Sequence, residues 1–138
     1  MEQVEELTKL LVEFYEKFSS WEHEVVRGEP LTLSQMHTVE ILNSQGALKM
    51  KELAEKMGVT TGSLTVLVDR LEKAGLVERR PHETDRRSIR VLLTDKGRAH
   101  ADEHHKLHSR LTQELTADMS REDMTALAEC LRRMLANF

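Results

Sequence analysis

The residues best suited to chemistry are histidines crowded into one stretch. "HADEHHKLH", residues 100 to 108, holds His100, His104, His105 and His108, four of the seven histidines in the chain. On a helix His104 and His108 stand one turn apart and face the same way; His100 extends that stripe and His105 points elsewhere. Two imidazoles at that spacing form half of a metal site, since a tight zinc site takes three or four N, S or O donors. The same stretch can instead serve as a low-pH switch, or be a solvated face that is rich in histidine. A second chemically active run is cationic. In His82-Glu83-Thr84-Asp85-Arg86-Arg87, arginines carried on a rigid turn can enter the narrow, negative minor groove of DNA, and Asp85 can orient one of them.

The bulk properties bound what these groups can serve. The chain has 138 residues, 39% hydrophobic and 32% charged, which suits a single soluble, helix-rich domain. Five aromatic residues leave the core to Leu, Val, Met and Ala. No run approaches the roughly 18 apolar residues of a membrane span. The opening MEQVEELTKLL carries Glu where a secretory signal needs positive charge, and the single Cys130 forms no internal disulfide. A cytoplasmic location is expected, with no membrane partner. The net charge of −4 is unevenly spread: from Arg70 to Arg98 there are nine Lys/Arg against five Asp/Glu, and the flanks are acidic. A cationic middle between anionic ends is the asymmetry of a protein that presents one face to a polyanion.

Periodicity sets out the elements that must position these residues. Val4, Leu7, Leu11, Phe14, Phe18, Trp21 and Val25 recur every three or four residues, which predicts one long amphipathic helix over 2–26, ended by Gly28 and Pro30. Thr32 and Gln35 have capping-box spacing and open a second helix to about Ser44. A third runs from about Met50 to Met57 and stops at Gly58; a fourth, capped by Thr60 or Thr61, reaches Ala74. Leu76–Arg80 and Ser88–Leu93 read as strands around a polar tip. Thr94 caps a fifth helix to about Thr116, and Ser120 with Asp123 starts a sixth. The lone Cys130 falls on the apolar stripe of the sixth helix, as a buried thiol would.

"MKELAEKMGVTTGSLTVLVDRL" has the pattern of a helix-turn-helix. Ala54 is small where two helices cross, Gly58 permits the turn, and Leu64 and Leu67 face the core. The second helix begins Thr60-Thr61-Gly62-Ser63, with Thr65 and Arg70 on its outer side. Short hydroxyls at a helix start suit contacts to phosphates and base edges, because backbone N–H groups there are unpaired and the dipole end is positive. A recognition helix followed by two strands with a charged tip is a winged helix. Its expected DNA-binding residues are Thr60, Thr61, Gly62, Ser63, Thr65, Arg70, Arg79, His82, Asp85, Arg86 and Arg87.

Taken together, the "LxxxGLVERR" join (Leu71, Gly75, Leu76, Val77), the Asp85-Arg86-Arg87 wing and "LTDKG" (Leu93 to Gly97) resemble the MarR family of transcriptional regulators from end to end. The resemblance implies a mainly α fold with a small β-wing and six helices. It also implies an intertwined homodimer that binds a palindromic operator in double-stranded DNA. Residues 1–30 and 95–138 would form the dimerisation helices, with Tyr15 and Trp21 at the interface, and residues 31–94 the DNA-binding domain. The apolar surface of the first and last helices points the same way, being more than so small a chain can bury on itself.

Within that family the histidines resemble the ligands of the zinc-responsive repressors. There a Glu at the end of the first helix, a His in the second and two His in the fifth match Glu24, His37, His104 and His108, one zinc site per subunit. The second site of that branch has no match, since Pro30 and Met36 stand where a Cys and a Glu are expected, leaving Glu103 alone. MarR regulators of fatty-acid synthesis share the Met36-His37 pair and a histidine-rich fifth helix, and answer to an acyl-loaded carrier. A small or lipophilic ligand between dimerisation and DNA-binding domains is therefore the alternative effector. An enzyme is not expected: Glu103 is the only spare general base beside the histidines, and there is no nucleophile triad or phosphate loop.

Overall fold

The computed structural model describes residues 1–85 and 87–138. In chain order the elements are α1 (Glu2–Val26), α2 (Leu33–Gln45), β1 (Leu48–Lys49), α3 (Met50–Met57), α4 (Thr61–Lys73), β2 (Val77–Pro81), β3 (Ile89–Leu93), α5 (Asp95–Leu115) and α6 (Arg121–Leu135). The helices begin and end where local chemistry demands. Thr32 Oγ1 accepts the Gln35 N–H at 3.2 Å while Gln35 Oε1 accepts the Thr32 N–H at 2.9 Å, closing the capping box of α2. Ser120 and Asp123 do the same for α6. Gly58 adopts φ 67° and ψ 31°, the left-handed conformation that ends α3 and turns the chain into α4.

The sheet has one strand more than the sequence predicts. The wing strands pair antiparallel, Val77 with Leu93 through Pro81 with Ile89, and β1 adds to the other edge of β3, Leu48 facing Val91. The order is β1-β3-β2. Contacts divide the chain into two units, residues 1–101 and 102–138. The core lies in the first, built on Val39, Leu42, Leu53, Leu64, Val68, Leu71, Leu76, Val77 and Val91, none more than 2% exposed. Each such Val or Leu contributes about 1.5–3 kcal/mol by leaving water. In the second unit, α6 buries none of its residues on its own chain. Cys130 is exposed rather than buried, because the stripe that carries it has no covering layer within the single chain. No helix among the described residues is long and apolar enough to cross a membrane.

The end of α4 is fastened by the start of α5. Thr94 donates its N–H to the Leu76 carbonyl at 3.0 Å and its hydroxyl to the Gly75 carbonyl at 2.6 Å, and Lys96 Nζ donates to the Ala74 carbonyl at 2.9 Å. Carbonyls left over at the end of the helix are thereby satisfied by the chain returning from the wing. This junction leaves no room at Gly97, where an added Cβ would lie 2.1 Å from the Leu76 carbonyl oxygen. Backbone cannot move aside as a side chain can. Gly97→Ala should lower the unfolding free energy by about 2 kcal/mol or more, read as a fall in the urea midpoint at unchanged m-value.

Candidate nucleic-acid interface and histidine cluster

Two exposed features of the first unit are built by the residues expected to read DNA. At the start of α4, Thr60 Oγ1 accepts the Ser63 N–H at 3.1 Å and donates to Ser63 Oγ at 3.1 Å, so this hydroxyl is the helix cap. Thr65 Oγ1 donates to the Thr61 carbonyl at 2.8 Å, which leaves its methyl and lone pairs outward. Thr61, Gly62, Ser63, Thr65 and Arg70 are all exposed, while Leu64, Val68 and Leu71 on the opposite side are fully buried. The inner face is locked, so the outer face has one orientation. Val66 belongs to that outer face too, 53% exposed. The sequence reading passed over it, although the spacing of Leu64, Val68 and Leu71 already places it opposite the core.

The second feature is the wing tip. His82 Nδ1 accepts the backbone N–H groups of Thr84 and Asp85 at 3.3 and 3.2 Å, so that nitrogen carries no proton in this arrangement. Asp85 accepts the Arg87 N–H and the Ser88 hydroxyl, both at 3.1 Å. Asp85 therefore shapes the turn through the Arg87 backbone rather than by gripping a guanidinium, and the Arg87 side chain is left exposed. Arg86 lies outside the described residues.

Arg79 stands apart from the other cations expected at the DNA. Its guanidinium donates to Asp69 Oδ1 at 2.6 Å and to Glu72 Oε1 at 2.9 Å, and its own N–H goes to Glu72 Oε2 at 3.1 Å. A contact with the Thr65 carbonyl at 3.4 Å completes the set. Its side chain is only 21% exposed. Arg79 thus ties β2 to α4 through a fork spanning two carboxylates one turn apart.

The histidine candidates fall into separate arrangements. His104 is buried at 5% exposure, and its Nε2 lies 3.1 Å from Nε2 of His108. Two nitrogens on one tetrahedral zinc at about 2.0–2.1 Å would stand about 3.3 Å apart, so this pair fits two positions on such an ion. His105 is exposed. The carboxylate that meets His37 is Glu22, with Nε2 and Oε2 2.7 Å apart, while Glu24 reaches Arg27 at 3.4 Å. Glu103 accepts from Lys106 Nζ at 2.9 Å, and that hydrogen bond with the neighbouring charge holds its carboxyl below the ordinary range. A carboxylate so favoured is a poor general base.

Residues 31–89 match the model of the MarR family. Over 65 residues the chain is 46% identical to the HTH-type transcriptional regulator YfiV of Bacillus subtilis, a match spanning 47% of this chain and 41% of that protein. With the multiple antibiotic resistance protein MarR of Salmonella typhimurium it shares 32% identity over 110 residues, 76% of this chain and 74% of the other. The chain belongs to the MarR family. It is a MarR-type DNA-binding transcriptional regulator, not an enzyme. A variant of Escherichia coli MarR, solved in complex with operator DNA, superposes with a TM-score of 0.72 at 27% identity, covering 96% of each chain. The winged helix and six-helix order expected from sequence are those of the family.

Because Arg79 holds two elements of a MarR winged helix together, its removal should be felt in stability. Arg79→Ala leaves Asp69 and Glu72 unpaired, which should cost about 1 kcal/mol once the exposure of both carboxylates is allowed for. Arg79→Lys should recover only part of that, because an ammonium cannot fork across two acids. Urea denaturation of the three proteins gives the comparison.

Proposed function

We propose that the protein binds a palindromic operator as a homodimer, with residues 31–94 as the DNA-binding domain and residues 1–30 and 95–138 as the dimerisation helices. The observation that carries this is the α4 start, with Thr61, Gly62, Ser63 and Thr65 exposed beside a wing that presents Arg87. Thr60 caps that helix, Arg70 lies one turn further along it, and His82 and Asp85 shape the wing turn. Arg86 shares the wing sequence. The E. coli MarR variant bound to operator DNA supports the same use of the fold. Pairing is supported by the single chain's exposed apolar stripes, Leu7, Leu10, Leu11 and Phe14 on α1 and Met124, Leu127, Leu131 and Leu135 on α6. A second copy covers such stripes at the least cost. Two recognition helices must then meet major-groove faces about 34 Å apart, so a small hinge motion decides whether both dock. A protein acting on DNA in this way works in the cytoplasm.

The effector reading is zinc, seated on His104 and His108. The support is their geometry: two imidazole nitrogens share one proton across 3.1 Å, and a divalent ion can replace that proton. The family resemblance adds Glu24 and His37, which would exchange their present partners Arg27 and Glu22 for the ion. Zinc would supply charge neutralisation and a fixed joint, and through it a change in DNA affinity. His104→Ala with His108→Ala should leave the dimer intact by sedimentation and abolish any zinc-dependent shift in operator affinity. A zinc response kept in full by that variant would remove the metal reading in favour of a small or acyl ligand. For the DNA reading, Arg87→Ala should weaken operator binding and reduce the slope of log K against log salt by about 0.9, one phosphate contact per site lost.

A further inference from the structure

At the centre of the outward face of α4 stands an apolar residue that the fold does not need. Val66 is 53% exposed, on the side opposite the fully buried Leu64, Val68 and Leu71. A β-branched residue on an exposed helix surface is a poorer helix former than Ala or Leu, so local propensity gives no reason for it. Its neighbours on that face are equally uncharged in effect. Gly62 presents backbone, with nothing nearer to an added Cβ than Thr60 Oγ1 at 3.9 Å. The Thr65 hydroxyl proton is committed to the Thr61 carbonyl, which leaves its methyl to present. Asp69 is neutralised by Arg79 at 2.6 Å. From Thr61 to Asp69 the sequence has no Lys or Arg, and so none of the forked donors that read guanine.

In the major groove the one apolar group that a base pair offers is the 5-methyl of thymine. We infer that Val66, together with the Thr65 methyl, is a specificity-determining residue of this regulator: it selects thymine at a fixed position of each half-site by packing against that methyl. The inference rests on the proposed role of α4 as the groove-entering helix. Burying one methyl at each half-site corresponds to about fourfold in affinity per contact, and about fifteenfold for the two together.

The test begins with operators selected from random duplex DNA by the full-length protein, each thymine then replaced singly by deoxyuridine, which lacks the methyl and pairs identically. One position per half-site should lose about fourfold in affinity for the wild-type protein. Val66→Ala, which is helix-favouring at an exposed site, should bind thymine and deoxyuridine there equally; Val66→Ile should keep the discrimination. A circular dichroism melt at or above the wild-type midpoint confirms that Val66→Ala is folded. A deoxyuridine penalty of the same size in wild type and Val66→Ala, or no penalty at any position, overturns the inference while leaving α4 as the DNA-reading helix. Failure of the wild type to enrich any sequence overturns both.

Discussion

The carbonyl of Leu76 is where the reading apparatus is fixed to the rest of the protein. It closes the end of α4, accepts the Thr94 N–H at 3.0 Å, and lies against Gly97 so tightly that no Cβ fits between. Recognition helix, wing and long C-terminal helix therefore meet at one point, with Thr94 and Lys96 taking the neighbouring carbonyls of Gly75 and Ala74. Displacing α5 must displace the end of α4, because these are hydrogen bonds to backbone and not to adaptable side chains. A family built to turn events at its dimerising helices into changes at DNA needs a joint of this kind.

A second constraint acts at the other side of α4. Leu64, Val68 and Leu71 fix its rotation by burial, and Arg79 fixes its distance from β2 by charge. The first is insensitive to salt; the second is partly screened. The helix is therefore held about its own axis more firmly than it is held to the wing. Adjusting the wing against a nearly rigid helix is consistent with contacts of two kinds, base edges for the helix and phosphate or minor groove for the finger.

Most of the architecture was legible in the sequence because it is written in local signals. Thr32 with Gln35, Ser120 with Asp123 and Gly58 each announce a helix boundary through contacts within a few residues, and apolar periodicity supplies the rest. What escaped is non-local. The two-residue strand Leu48–Lys49 exists only because Val91 and Arg90 lie alongside it. Arg79 in sequence is one more cation among wing arginines; only the fold brings it to Asp69 and Glu72, ten and seven positions away. In the same way the partner of His37 is Glu22, and no spacing rule distinguishes it from Glu24 two residues on. The His104–His108 pair lies at the legible extreme, since helical geometry alone brings the two rings together.

The wing tip carries its own scaffold, His82 holding two backbone N–H groups and Asp85 holding the Arg87 N–H and the Ser88 hydroxyl. Ordering a free residue costs about 1–2 kcal/mol of backbone entropy. A finger whose turn is already shaped by its own side chains meets part of that cost during folding, so less of it falls on the encounter with a groove. The imidazole and the carboxylate thus act as entropy reservoirs, favouring association without touching the nucleic acid.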